Sequence, residues 1–229
     1  MEELNLFLFL WMAAGHAPCP WLVSVAGALA VGGPWPCLAL LGWTAWLYPR
    51  ERGYLLAVLG CATLASMLAH ALAAALNMPR PFMVGLSPAY IEHGARGSLP
   101  SAHATVMFTV ALLCLRRPAL HAAGVAIFAA ASLTGWARIH VGVHFPADVP
   151  AGLLLAFAVA AVFAGLEHLC HRLFASTAVE RAGRHANQLV RYLRRWLPAL
   201  QVGRINDPPS SRRHVRDTSR SSPTSDQNA

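Results

Sequence analysis

The chain has 229 residues, of which 56% are hydrophobic and 12% are charged, whereas an ordinary soluble domain carries about 25% charged residues. Its net charge of +8 comes from 18 arginines, 11 of which lie from Arg172 onward, so the rest of the chain carries few charges. This composition excludes a disordered chain and a disulfide-rich secreted scaffold, and it predicts an integral membrane protein of the all-α class.

Six apolar segments follow one another along the chain and predict a polytopic helical bundle. The first, Leu4–Ala14, is too short to cross a bilayer, so we expect a short interfacial or half-inserted helix. A helix that crosses a hydrocarbon core of about 30 Å needs roughly 20 apolar residues. Four segments meet this length, and the shorter Ser101–Leu115 is predicted to be a fifth span, with arginines that reach the interface at its end. The four long segments are Pro20–Leu47, Gly53–Leu76, Ala119–Ala137 and Val149–Leu169.

The composition changes after the last apolar segment, so three regions are predicted. Residues 1–173 form a membrane-embedded domain. Residues 174–202 include Val179–Leu200, which is basic and has an apolar face, a pattern typical of an amphipathic helix on the anionic inner surface of a membrane. Residues 203–229 are rich in Ser, Pro, Arg and Asp and are predicted to be disordered. Membrane tethering accounts for these arginines, so no nucleic acid is expected as a partner.

The placement of the arginines also predicts the orientation in the membrane. One side of the bundle receives Arg50, Arg52, Arg116, Arg117 and the C-terminal series, and the positive-inside rule makes this side cytoplasmic. The extracytoplasmic side receives two loops, residues 77–100 and 138–148, whose arginines are Arg80, Arg96 and Arg138. Because arginine is disfavoured on that side, these three residues need a reason, and phosphate binding is the favoured one for Arg80 and Arg138.

The same two loops contain most of the polar residues of the membrane body. Guanidinium groups bind phosphate oxygens through two hydrogen bonds and remain charged. Pro100 and Ser101 precede an apolar run, as at the start of a helix, and a helix N-terminus favours an anion. We therefore predict an anion site between the loops. Scattered cysteines without ligand spacing indicate neither a zinc site nor a disulfide framework.

His144 and Asp148 have the spacing of a nucleophile and the carboxylate that orients it. Pro146 suits the first turn of the last span, which places His144 just before that helix and Asp148 within it. The carboxylate can then accept one imidazole N–H, which frees the other nitrogen for attack. His103, in the first turn of the short span Ser101–Leu115, is available as a general acid.

Three motifs in this order, Arg-Pro, Pro-Ser-x-His and Arg-x5-His-x3-Asp, resemble the type 2 phosphatidic acid phosphatase superfamily. Within it, Pro79–Phe82, Tyr90–His93 and Pro100–His103 resemble the bacitracin-resistance type of undecaprenyl-diphosphate phosphatase. The resemblance covers about Leu4–Leu173 and implies a polyprenyl diphosphate lipid as substrate. The implied reaction converts undecaprenyl diphosphate to undecaprenyl phosphate and phosphate at the periplasmic face of a bacterial inner membrane.

The resemblance also implies a role for each motif residue. His144 attacks phosphorus to form a phosphohistidine, Asp148 orients it, and His103 protonates the leaving oxygen. Phosphate oxygens are bound by Arg80, Ser101 and Arg138. No metal and no other cofactor is implied, because arginines and helix termini supply the positive charge.

Three positions depart from the superfamily pattern: Ala73 replaces a lysine, Ala102 a glycine and Ala137 a serine. Two alternatives therefore stay open. One is another lipid phosphatase or phosphotransferase of the superfamily, acting on phosphatidic acid, phosphatidylglycerol phosphate or lipid A. The other is a non-catalytic membrane protein that binds lipid phosphates.

Three further histidines lie outside the motifs. His70 is predicted to pack, neutral, against a neighbouring helix, and His140 to be packed or solvated. His93, together with Glu92 and Arg96, is predicted with even weight either to shape the entry of substrate or to have no part in the site.

Overall fold

The computed structural model describes residues 2–196, with the side chains of residues 175–184 and 194–196 left out. Over this range the regular structure is entirely helical, which confirms the all-α prediction. The helices in chain order are α1 (Glu2–Met12), α2 (Pro20–Gly32), α3 (Pro34–Leu47), α4 (Arg52–Leu76), α5 (Ala102–Leu115), α6 (His121–His140) and α7 (Asp148–Trp196).

Three stretches of the described chain are long and apolar enough to cross a membrane. They are Pro49–Val84, which contains α4, Pro118–His140, which contains α6, and Asp148–Phe174 at the start of α7. Helix α5 is apolar but has 14 residues, which corresponds to about 21 Å at 1.5 Å per residue. The chain is therefore a polytopic membrane protein, and the crossing by α5 stays a prediction.

The segment Pro20–Leu47 is not the single straight helix that its hydropathy predicts. It consists of α2 and α3, which are bent by 48° relative to each other and together have the length and hydropathy of one crossing. Pro34 begins α3 and has no N–H with which to continue the preceding helix. Gly33 lies so close to α6 that an added Cβ would be 2.1 Å from Thr134 Oγ1. The bend therefore lets the backbone approach α6.

Helix α5 packs between α4 and α6 and separates two polar clusters at its ends. Most of its residues are buried, including Thr105 and Thr109, whose hydroxyls donate to carbonyl oxygens one turn earlier. At its C-terminal end Arg116 and Arg117 contact the carboxylate of Glu167 at 2.8 and 2.6 Å. At its N-terminal end lie the two polar loops, residues 77–100 and 138–148. The buried helix thus holds the candidate site apart from the arginine cluster.

The N-terminal helix α1 packs against the connection between α6 and α7. The ring of Phe9 is buried 5.4 Å from the ring of Phe145, and Asn5 Oδ1 accepts a hydrogen bond from Ala147 N–H at 3.0 Å. His140 stacks on Trp136 with ring centroids 5.2 Å apart, and its Nδ1 contacts the carbonyl oxygen of residue 12 at 2.8 Å. His140 is thus a packing residue, one of the two roles predicted for it.

The chain divides into two units, Met1–Leu173 and Phe174–Ala229. The predicted segments Val149–Leu169 and Val179–Leu200 belong, as far as Trp196, to one continuous helix, α7. The described side chains of residues 185–193 are exposed. Binding of this segment to a membrane surface stays a prediction, and the predicted disordered residues 203–229 lie outside the described part of the chain.

Candidate active site

The loop between α4 and α5 meets the connection between α6 and α7 at the N-terminal end of α5. Together they line a cavity of about 810 Å³. Among its lining residues are four of the predicted site residues, Arg80, His103, Arg138 and His144. The other two, Ser101 and Asp148, are buried next to lining residues. The structure therefore brings together all six residues that the motifs predict.

Asp148 holds the imidazole of His144 in one orientation. His144 Nδ1 lies 3.0 Å from Asp148 Oδ2, and both side chains are almost completely buried. The same carboxylate oxygen accepts hydrogen bonds from the backbone N–H of Phe145 at 2.8 Å and from the hydroxyl of Ser98. Because an ionised carboxylate only accepts, His144 must carry its proton on Nδ1. Its Nε2 therefore presents a lone pair to the cavity.

The environment keeps His144 uncharged. Burial lowers the pKa of this imidazole to about 4; the hydrogen bond to Asp148 opposes the shift, and the nearby charges of Arg138 and Arg80 strengthen it. Nη1 of Arg80 lies 3.2 Å from His144 Nε2 and can donate to its lone pair. At neutral pH the residue is therefore a neutral imidazole with the protonation state that a nucleophile needs.

Arg80 is fixed mainly by backbone carbonyl groups. Its Nε donates to the carbonyl oxygen of Arg96 at 2.9 Å, Nη2 to that of Gly97 at 3.0 Å, and Nη1 to that of Val143 at 2.7 Å. With the contact to His144, four of the five N–H groups of a guanidinium are engaged. The side chain thus joins both loops and keeps one N–H for a ligand.

Arg138 makes fewer hydrogen bonds than Arg80, so more of its N–H groups are free. Its Nη1 donates to the carbonyl oxygen of Ala30 at 3.0 Å, and its Nη2 lies 2.8 Å from Nε2 of His93. Two buried side-chain atoms of the described residues have no hydrogen-bond partner, Arg138 Nε and Ser101 Oγ. A buried polar group without a partner is costly. An anion in the cavity that Arg138 lines would give its Nε a partner.

The first turn of α5 adds backbone donors to the same wall. Ser101 precedes the helix, and its N–H donates to the backbone carbonyl oxygen of Asp148 at 3.1 Å, which joins the starts of α5 and α7. Ala102 and His103 follow it and line the cavity. Backbone N–H groups in the first turn have no partner within the helix and carry its positive dipole end. This helix end therefore favours an anion next to His103.

Two residues of the site were missed or left open by the motifs. Ser98 is completely buried and donates to Asp148, and the only sequence signal for it is its place just before the Pro-Ser-x-His motif. His93 lies on the cavity wall, with its ring centroid 6.1 Å from that of His144. Burial and the charge of Arg80 lower the pKa of His93 to about 4. It is thus a neutral acceptor for Arg138, and its role in substrate entry stays a prediction.

His70 is not packed against a neighbouring helix as predicted. It is exposed and lines the cavity, with Nδ1 2.7 Å from the carbonyl oxygen of Ser66 one turn earlier in α4. The α4 residues around it on this wall include Ala69, Ala73 and Ala74. Because these side chains are small, the cavity reaches the imidazole.

Gly97 provides a test of how the loop is positioned. A Cβ at this residue would lie 1.9 Å from the carbonyl oxygen of Ala73, so Gly97→Ala must move the backbone whose carbonyl accepts from Arg80. We expect catalytic activity to fall at least about tenfold, because displacement of a positioning group is costly to catalysis. Gly60→Ala is the control, since Gly60 has open space around it in α4. Normal activity of a well-folded Gly97→Ala protein would contradict this role.

The chain is similar in sequence to proteins of a known family. Residues 54–171 match the PAP2 superfamily. The chain is 30% identical over 158 residues to the Escherichia coli K12 protein named "Putative undecaprenyl-diphosphatase YbjG", an alignment that covers 67% of this chain and 78% of that protein. It is 35% identical over 85 residues to undecaprenyl-diphosphatase BcrC of Bacillus subtilis, covering 37% and 43% of the two chains.

Two solved structures are similar in fold. LpxE of Aquifex aeolicus superposes with a TM-score of 0.56 and 27% identity, covering 69% of this chain and 93% of that one. A PAP2-type phosphatidylglycerolphosphate phosphatase from Bacillus subtilis gives a TM-score of 0.56 at 20% identity, covering 73% and 86%. The chain belongs to the PAP2 superfamily. Within that class it is a membrane lipid phosphatase of the kind that includes the undecaprenyl-diphosphatases.

Proposed function

We propose that the protein hydrolyses undecaprenyl diphosphate to undecaprenyl phosphate and inorganic phosphate, and so recycles the carrier lipid of cell-wall synthesis. The observation that carries this proposal is the neutral His144, oriented by Asp148 and flanked by two arginines in a cavity. The relatives named as undecaprenyl-diphosphatases support the choice of substrate.

In the first proposed step, Nε2 of His144 attacks the terminal phosphorus. A phosphorus–nitrogen bond forms, and the bond to the bridging oxygen breaks, so that undecaprenyl phosphate leaves. The contact from Arg80 to Nε2 must pass to a phosphate oxygen in this step. Arg138 and Ser101 stabilise the charge on the transferred group, as donors aimed at developing charge do. His103 gives a proton to the leaving oxygen.

In the second step, His103 takes a proton from water, and the resulting hydroxide attacks the phosphohistidine. The phosphorus–nitrogen bond breaks, inorganic phosphate forms, and His144 returns to its neutral state with the proton still on Nδ1. The same group acts as acid and then as base, as the reversal of the chemistry requires. Guanidinium groups and a helix N-terminus supply the stabilising charge, so we propose that no metal takes part.

An apolar cavity next to the site supports a lipid substrate. It has a volume of about 260 Å³ and lies among α3, α4 and α5, lined by residues such as Leu38, Leu59 and Val110. Pro34, Val106 and Met107 line both this cavity and the polar one. A prenyl chain can therefore lie in the apolar groove while its diphosphate occupies the polar cavity.

The proposed location is a bacterial inner membrane, with the site on the periplasmic face and the C-terminal tail in the cytoplasm. The arginines at the opposite end of α5 support this orientation, because Arg116 and Arg117 are a typical cytoplasmic signal.

A substrate panel tests the proposed function. The purified protein in detergent is expected to release phosphate from undecaprenyl diphosphate faster than from phosphatidic acid or phosphatidylglycerol phosphate, and to retain this activity in EDTA. Faster hydrolysis of a monophosphate lipid, or transfer of phosphate to lipid A, would select another activity of the superfamily. Absence of turnover on every lipid, with lipid phosphates still bound, would select the non-catalytic alternative.

A further inference from the structure

We propose that Arg96 binds the second, lipid-proximal phosphate of the substrate, and that it thereby makes the site selective for lipid diphosphates over lipid monophosphates. This inference rests on the proposed function. It concerns a residue that belongs to none of the three motifs, and it gives that residue a contact that the motif residues do not supply.

Residues 93–97 connect the two buried arginines. His93 accepts from Arg138 at 2.8 Å, and the carbonyl oxygens of Arg96 and Gly97 accept from Arg80 at 2.9 and 3.0 Å. Any phosphate held by Arg80 and Arg138 therefore lies at a fixed place relative to this short segment. The backbone of Arg96 contacts one of the catalytic guanidiniums directly, and Arg96 is among the residues that line the same cavity.

The charges around the cavity match a diphosphate better than a monophosphate. The lining contains three arginines, Arg80, Arg96 and Arg138, and no carboxylate among the described lining residues. Arg80 and Arg138 are 5% and 2% exposed and surround His144, whereas Arg96 is exposed. A phosphate monoester carries up to two negative charges and an ionised diphosphate monoester three. The third arginine therefore adds a positive charge for the additional negative charge of a diphosphate.

The two ends of a bound lipid leave one place for the second phosphate. The terminal phosphorus must reach Nε2 of His144, and the hydrocarbon chain must leave toward the groove at Val106 and Met107. The bridging oxygen and the second phosphate then lie between these points, inside the polar cavity. In the proposed mechanism Arg80 and Arg138 bind the transferred phosphate, which leaves Arg96 as the third arginine among the lining residues. A guanidinium group suits a phosphate as its ligand.

The test compares initial rates of phosphate release from farnesyl diphosphate and farnesyl monophosphate, which share one hydrocarbon chain. Arg96→Gln is expected to lower kcat/KM for the diphosphate by about 10- to 100-fold, the size of a lost charge-assisted hydrogen bond. For the monophosphate the expected change is less than about threefold. Arg96→Lys keeps the charge and should recover part of the preference. Arg50→Gln, an exposed arginine outside the cavity, is the matched control.

The outcomes separate this inference from the proposed function. An equal loss of kcat/KM on both substrates in Arg96→Gln would mean that Arg96 only holds the loop. Unchanged kcat/KM on both substrates would mean that Arg96 does not touch the second phosphate. In either case the ratio of kcat/KM for the diphosphate to that for the monophosphate stays the same, and the inference is overturned. If Arg96→Gln does not fold, the ratio measured with Arg96→Lys decides, because loss of the guanidinium fork must reduce it. A wild-type protein that hydrolyses the monophosphate but not the diphosphate would instead overturn the proposed function.

Discussion

Replacing His144 with alanine is expected to lower phosphate release by at least about 10⁴-fold, because removal of a nucleophile leaves only binding and charge stabilisation. Among the described residues that line the cavity, no other imidazole is oriented by a carboxylate in the way that Asp148 orients His144. His93 accepts from Arg138 and its ring centroid lies 6.1 Å from that of His144, so it is not placed to take over the attack. Substrate binding should persist.

The measurement combines turnover with trapping of the intermediate. Acid-labile phosphate on the wild-type protein, after a rapid quench with labelled substrate, should disappear in His144→Ala. His121→Ala is the matched control, since His121 is exposed at the start of α6, the far end of that helix from the site. Wild-type turnover by the purified His144→Ala protein would disprove the proposed mechanism.

Replacing Asp148 with asparagine is expected to lower kcat by about 10²- to 10⁴-fold with a smaller change in KM. One oxygen of this carboxylate accepts from His144, Ser98 and the Phe145 N–H. An amide of the same shape must place either its oxygen or its NH₂ at that point. If the NH₂ faces His144, the imidazole must carry its proton on Nε2, and the lone pair needed for attack turns away from the substrate.

Rate measurements with two further variants show whether Asp148→Asn acts through the orientation of the His144 imidazole or through damage to the fold. Ser98→Ala removes one donor to the carboxylate and should cost much less than Asp148→Asn. Glu92→Gln is the matched control, because it changes an exposed carboxylate of the same loop that does not line the cavity. Equal, mild losses in Asp148→Asn and Ser98→Ala would show that the carboxylate only supports the loop.

The three departures from the superfamily pattern leave the surroundings of His144 intact. Ala73 lies where the α4 backbone meets Gly97, so its small side chain stands at the closest approach of loop and helix. Ala102 occupies the first turn of α5 beside the cavity. Ala137 is completely buried in a small apolar cluster with Ala26 and Ala30. The side-chain hydrogen bonds of His144 and Asp148 are made with Arg80, Ser98, Phe145 and each other, so none depends on these three positions, which favours the enzymatic interpretation over the non-catalytic one.

Sequence patterns were sufficient for the parts of this protein that depend on local spacing. Helix α4 begins within one residue of the predicted span, because hydropathy over 20 residues is a property of consecutive side chains. His144 and Asp148 lie four residues apart across the start of α7, a short separation in the chain, and their side chains are in contact in the structure. The close approach of Gly33 to α6 escaped prediction, since Thr134, the residue it approaches, lies in a different helix.

From the sequence alone came the helical class, the membrane environment and the six candidate site residues, since each follows from a count or a spacing along one segment. Only the tertiary structure decided what the guanidinium groups contact. Arg80 uses most of its donors on carbonyl oxygens of residues 96, 97 and 143, and Arg138 uses one on Ala30. Such contacts join residues far apart in the chain, so they exist only after the helices pack and bring the loops together.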